Sequence, residues 1–71
     1  MDNMAIARNL KGKMNEWQVT EKSVAAMMGV TERCVNNWIN GRRQPTAYAV
    51  LRLSRLFNCT MEDLMDGVSE D

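Results

Sequence analysis

VTEKSV at positions 19–24 is written again, almost letter for letter, as VTERCV at 30–35, with only AAMMG between. Each copy reads as the start of a helix. Thr20 and Thr31 are good N-caps, because a hydroxyl can accept one of the backbone N–H groups that the first turn leaves without a partner. Glu21 and Glu32 place an acid where the helix dipole favours it. Val19 with Val24, and Val30 with Val35, have the spacing at which a residue before the cap packs on one in the first turn. CTMEDL at 59–64 uses the device a third time, with Cys59 and Leu64 as the apolar pair, Thr60 as the cap and Asp63 close to a capping box. The first helix of the pair must end within about two turns, inside AAMMG, and Gly29 is the residue able to take the left-handed conformation that closes it. Two short helices joined by a tight glycine turn form a helix-turn-helix. Two copies are too few for a solenoid.

The rest of the chain is expected to fold around this pair. Residues 3–15 carry Met4, Ile6, Ala7, Leu10 and Met14, an apolar face at helical spacing. Gly12 weakens that helix by roughly 1 kcal/mol relative to alanine. Trp17 falls in the following connection and covers the core. NGRRQPT reads as a loop ending in the only proline. Residues 46–57 form the next helix, with Val50, Leu53 and Phe57 inward, Arg52 and Arg55 outward, and Asn58 to close it. The last helix spans 61–66 and ends at Gly67. The methionines, Met27, Met28, Met61 and Met65 among them, read as core fillers. The expectation is an all-α fold of five helices in a single domain over 1–71, with its core at about 4–66 and residues 67–71 a frayed acidic tail.

Composition narrows the functions open to such a domain. There is no histidine, which removes the commonest general base and any serine–histidine or cysteine–histidine pairing. Cys34 and Cys59 alone make no plausible zinc set; both read as free thiols, Cys59 in the core and Cys34 on a helix flank. No apolar run approaches the ~18 residues of a membrane span, and the N-terminus lacks the pattern of a signal peptide. We therefore expect a cytoplasmic or nucleoid-associated protein, not an enzyme, with no cofactor, no metal and no small-molecule substrate. The formal net charge of zero hides a split. Residues 1–55 hold all nine Lys and Arg with four acids, whereas residues 56–71 hold five acids and no base. A basic body suits a polyanion partner, although a solvated surface with chance segregation gives the same count.

The helix of residues 31–40 shows where such a partner fits. On a helical wheel Val35 and Trp38, with Val30, mark the inner side. Glu32, Arg33, Asn36, Asn37 and Asn40 fall on the outer side, and Cys34 and Ile39 lie on the flanks. Each outer residue type can address a base edge: arginine as a fork to guanine, asparagine as a donor–acceptor pair to adenine, glutamate as an acceptor from cytosine. Any helix needs a polar outer face. This one also leads straight into NGRRQ, which sets Arg42 and Arg43 where phosphates pass if the helix lies in the major groove.

In these residues the sequence resembles the lambda-repressor-like, Cro-type helix-turn-helix DNA-binding domains of phage and bacteria, over about residues 6–66. Ala25 stands at the small position where the two motif helices cross, and Gly29 at the turn. Val30 and Thr31 open the recognition helix, with Val35 and Trp38 at its core positions. Gly41-Arg42-Arg43-Gln44-Pro45 resembles the loop after it. Val50, Leu53 and Ser54, then Phe57-Asn58-Cys59-Thr60 and Leu64-Met65, match the closing helices. The resemblance implies a compact five-helix domain with its helix-turn-helix at helices 2 and 3, usually dimeric, on a pseudo-palindromic double-stranded operator. By position it implies Thr31, Glu32, Arg33, Asn36 and Asn37 as base contacts. Lys13, Thr20, Lys22, Asn40, Arg42 and Arg43 are then the candidates for phosphate, and Tyr48, Phe57, Met61 and Met65 those for the dimer interface. Two residues depart from the family's pattern. Glu21 stands where glutamine is common, and a carboxylate there repels phosphate; Ile39 stands where an acid is common.

The reading is a phage or bacterial transcriptional regulator, a repressor in the simplest case, that reads a specific duplex with helix 31–39 in the major groove. The alternative is a protein-interaction module on the same fold, an antitoxin-like or regulatory partner, which the acidic tail and Ile39 favour.

Overall fold

A computed structural model describes residues 4–68. The described chain runs through α1 (Ala5–Trp17), α2 (Glu21–Met28), α3 (Glu32–Ile39), α4 (Ala47–Leu56) and α5 (Met61–Met65). No strand occurs among the described residues. Of the expected acidic tail, residues 69–71 lie outside the described range.

The threonine device opens four helices rather than three. Each threonine has an extended backbone, and its hydroxyl accepts a backbone N–H three residues on. Thr20 accepts from Ser23, Thr31 from Cys34 and Thr46 from Ala49, each at 3.1 Å, and Thr60 accepts from Asp63 at 3.0 Å. At α5 the box closes, since the Thr60 N–H donates back to the Asp63 carboxylate at 3.1 Å. The backbone and side chain of Thr60 together hold the Asp63 carboxyl below its ordinary value. The folded pKa is the lower one, so this contribution is present at neutral pH and is lost as pH falls through that lowered value. The apolar pairs pack as their spacing predicts: Val24, Val35 and Leu64 are buried, and Val19, Val30 and Cys59 pack on the core from its edge. Burial pushes the Cys59 thiol up, with the charge of Lys13 opposing.

Helix ends follow backbone demands. Gly29 closes α2 at φ 72°, and a Cβ built there has nothing within 4 Å, so the need for glycine lies in the backbone angle and not in space. Val30 then donates to the Ala25 carbonyl at 3.0 Å, the closing bond of a Schellman turn. Asn58 takes the same conformation after α4, at φ 52°. Gly67 does so after α5, which ends at Met65, one residue earlier than expected.

Gly12 is different, because it lies inside α1, is exposed, and a Cβ there meets nothing within 4 Å. Gly12→Ala is expected to raise stability by roughly 0.5–1 kcal/mol. Urea unfolding followed by circular dichroism checks this, as a higher midpoint at unchanged slope.

The Cα radius of gyration is 11.0 Å, close to the value of about 11 Å for a compact chain of this length. α1 lies against α3 and α5, α2 against α3 and α4, and α4 against α5. Leu10, Val24, Val35, Val50, Leu53 and Leu64 are sealed at the centre. Two long-range side-chain contacts tie helix ends across the core. Asn9 donates to the carbonyls of Leu64 and Asp66, at 2.8 Å each, so α1 caps the end of α5. Arg52 donates to the Met28 carbonyl at 3.0 Å, so α4 caps the end of α2 while the guanidinium lies 6.0 Å from the Tyr48 ring centre.

Several expectations need correction. Trp17 is the last residue of α1 rather than part of the connection; half-exposed, it meets the Phe57 ring edge-on at 6.4 Å. Met28 is buried, but Met27 and Met65 project outward and fill no core space. Met4 is also exposed. Phe57 is only 3% exposed. Its ring is packed into the core, which leaves little of it for a dimer interface; Tyr48, Met65 and the half-buried Met61 remain accessible.

Candidate nucleic-acid interface

α3 is anchored from one side only. Val35 is inaccessible and Trp38 nearly so, and Ile39 packs on the core from the flank. The anchoring turns Glu32 and Arg33 to solvent and leaves Asn36 and Asn37 half-exposed. Thr31 remains exposed although its hydroxyl is engaged as the cap.

The chain after α3 is tied to the helix end. The N–H groups of Arg42 and Arg43 both donate to the Asn37 carbonyl, at 3.0 and 3.3 Å. Asn40 uses its side-chain amide to bond the Asn36 carbonyl at 2.8 Å. Gly41, at φ 71°, makes the turn between them. The two arginines thus leave the helix end at a fixed angle. A cleft of about 510 Å³ opens between α3 and the start of α4, lined by Thr31, Arg33, Cys34, Asn37, Trp38, Arg43 and Thr46. Three base-contact candidates and one phosphate candidate therefore share one concavity. Cys34 and Thr46 belong to it as well. The sequence places Cys34 on a flank and Thr46 where the proline loop meets the helix of 46–57, without reading it as a cap; the threonine-cap pattern that marks Thr20, Thr31 and Thr60 is the signal that finds it.

Asn36 is held in a chain of hydrogen bonds. Its amide nitrogen donates to the Glu21 carboxylate at 2.9 Å, and its amide oxygen accepts from Arg42 at 3.0 Å. Glu21 is half-buried at the start of α2. The carboxylate that looked unfavourable beside phosphate is thus occupied by a neutral amide, with an arginine next in line.

Thr20 and Lys22 are exposed at the same end of α2. Lys13 goes elsewhere: it pairs with Glu16 at 3.4 Å, and its charge acts on Cys59 and Asp63 at the junction of α4 and α5. Tyr48, Met61 and Met65 stand on α4 and α5 and do not line the cleft, although Tyr48 is only two residues beyond Thr46, which does.

Two short capped helices meeting at a left-handed glycine, the second showing a polar face and followed by a basic loop, define a helix-turn-helix domain of the DNA-binding, transcription-regulator type. The chain belongs to the helix-turn-helix family of lambda-repressor and Cro type, whose profile matches residues 18–64. That match spans α2 to α5 up to Leu64 and contains both motif helices, the arginine loop and the cleft. No curated protein and no solved structure matches the chain. No helix among the described residues is long and apolar enough to cross a membrane.

Proposed function

We propose that this protein is a sequence-specific duplex-DNA-binding regulator of phage or bacterial origin that represses transcription by occupying a promoter. α3 enters the major groove. Arg33, Asn36 and Asn37 read base edges, with Thr31 and Glu32 at the rim, while Arg42 and Arg43 grip the strand that passes the helix end. Thr20, Lys22 and Asn40 extend the phosphate contacts, and Lys13, paired with Glu16, contributes at most to the long-range field. The observation that carries this reading is the fixed placement of Arg42 and Arg43 on the Asn37 carbonyl, beside the polar face of a helix anchored only from within. Two copies joined through the α4–α5 side, around Tyr48, Met61 and Met65, would read half-sites about one helical turn apart. Such an operator is pseudo-palindromic.

Selection of bound duplexes from a random pool tests both parts of this reading. A palindromic winner supports sequence reading by a dimer. Affinity for that duplex is expected to fall roughly a hundredfold or more between about 50 and 200 mM salt, because several phosphate contacts release counterions. Absence of any enriched duplex, or a flat salt response, favours the protein-interaction reading, for which the exposed Tyr48, Met27 and Met65 supply apolar surface. Arg43→Ala is expected to weaken binding to all duplexes alike and to lower the salt slope by about one. An unchanged slope in a salt titration removes Arg43 from the phosphate contacts.

A further inference from the structure

We propose that Glu21 and Arg42 are positioning residues for base reading by Asn36, so that the chain Glu21–Asn36–Arg42 couples one base contact to one phosphate contact. The inference rests on the DNA-binding reading above and adds the residues that set its specificity. Three elements meet in the chain: the first turn of α2, the outer face of α3, and the loop after it.

Its chemistry fixes the amide's orientation. A carboxylate only accepts and a guanidinium only donates. The Asn36 nitrogen must therefore face Glu21 and its oxygen must face Arg42. Turning the amide over sets oxygen against oxygen and N–H against N–H. After both bonds are made, Asn36 keeps one N–H and one lone pair uncommitted, the donor–acceptor set that adenine takes in the major groove. A free asparagine on a helix surface samples both amide orientations and must be ordered on binding. Here that ordering precedes the duplex, which is how a recognition side chain is made selective. Asn36 is also held at its backbone, where its carbonyl accepts from Asn40.

Glu21 keeps its place for local reasons as well. It is in the first turn of a helix that Thr20 already caps, so its charge is tolerated by the dipole and its removal leaves the cap intact. Arg42 bonds the oxygen of Asn36 from the loop, the same loop that reaches for phosphate. A phosphate that draws Arg42 also sets the acceptor end of Asn36.

The test compares affinities of wild-type protein, Glu21→Ala, Glu21→Gln, Asn36→Ala, Arg42→Ala and the Glu21→Ala/Asn36→Ala double variant. Each is measured on the selected duplex and on its single-base-pair variants. Asn36→Ala is expected to lose roughly tenfold discrimination at one A·T pair. Glu21→Ala should lose most of the discrimination at that pair and none elsewhere, and the double variant should be no worse there than Asn36→Ala. Arg42→Ala should weaken every duplex and, in addition, lose discrimination at the same pair. Glu21→Gln, which keeps a carbonyl acceptor, should retain it and also guards against a folding defect in the alanine variant. A Glu21→Ala protein with an unaltered base-pair profile and uniformly tighter binding overturns the inference, as do additive losses in the double variant; either leaves DNA recognition standing. If wild-type protein enriches no duplex, the functional reading falls and this inference with it.

Discussion

Trp38→Ala is expected to leave the chain largely unfolded or melting far below the wild type. Trp38 is the largest side chain that α3 commits to the interior, at 7% exposure, and belongs to the same buried cluster as Leu10, Met14 and Val35. Truncating a buried tryptophan costs roughly 3–5 kcal/mol, the lost transfer energy plus a cavity the surroundings cannot fill. A domain of this size has a total stability of only about 4–10 kcal/mol. At roughly 4–8 °C per kcal/mol, the midpoint should fall by about 12 °C at the least. The comparison with Leu53→Ala separates stability from geometry. Leu53 is as deeply buried but belongs to α4, and its loss costs roughly 2–5 kcal/mol without freeing α3. Trp38→Ala should therefore weaken DNA binding more than Leu53→Ala at matched fractions folded. Calorimetry gives the midpoints. The half-exposed Trp17, kept in the variant, still reports unfolding by fluorescence. A midpoint within a few degrees of wild type contradicts the assignment of Trp38 as the internal anchor of α3.

The residues that make this fold readable are those whose partners are close in sequence. A threonine cap finds its N–H three residues on, and a hydrophobic staple closes within one turn. Hence Thr20, Thr31 and Thr60, with Val24, Val35 and Leu64, could be assigned from spacing alone. Thr46 obeys the same rule: the helix of 46–57 is legible there, but Pro45 and the arginines before it mask the cap. Trp17 illustrates the opposite weakness. The end of α1 is set by Gln18 taking a left-handed conformation, which a glutamine does not advertise.

The interactions that could not be read join residues far apart in the chain. Asn9 with Leu64, Arg52 with Met28 and Glu21 with Asn36 each need the packed fold before the groups meet. For the interface this divides the site in two. The outward direction of Arg33, Asn36 and Asn37 follows from the wheel, since Val35 and Trp38 fix the inner side. The engagement of Asn36 by Glu21 and Arg42, and the sharing of one cleft by Arg33 and Arg43, depend on how α2 and the loop are set against α3. Phe57 shows the same division: its spacing marks it as inward, and only the packed structure shows how little of it, 3%, stays accessible to a partner.

Arg33→Ala is expected to cost roughly 1–3 kcal/mol on the preferred duplex and to relax discrimination at a single base pair. Arg33 is exposed in the first turn of α3, ahead of the half-buried asparagines, and lines the cleft that it shares with Arg43. From that turn its side chain is the longest on the outer face and has the fork that guanine's O6 and N7 accept. Proximity to Arg43 raises the competing assignment, a joint grip on phosphate. The two make different demands. A phosphate contact is indifferent to sequence, so its loss weakens every duplex equally and lowers the salt slope by about one. A base contact leaves the slope nearly unchanged and compresses the gap between the best duplex and its variants at one position. Arg33→Lys sharpens the distinction, because lysine keeps the charge but lacks the planar fork. It should restore most of the salt-dependent affinity, and little of the discrimination, if Arg33 reads a base. Binding curves for the three proteins at several salt concentrations, on the selected duplex and its single-pair variants, decide the matter. A uniform loss in Arg33→Ala that lysine repairs in full assigns Arg33 to the backbone grip with Arg43, and base reading then rests on Asn36, Asn37 and Glu32.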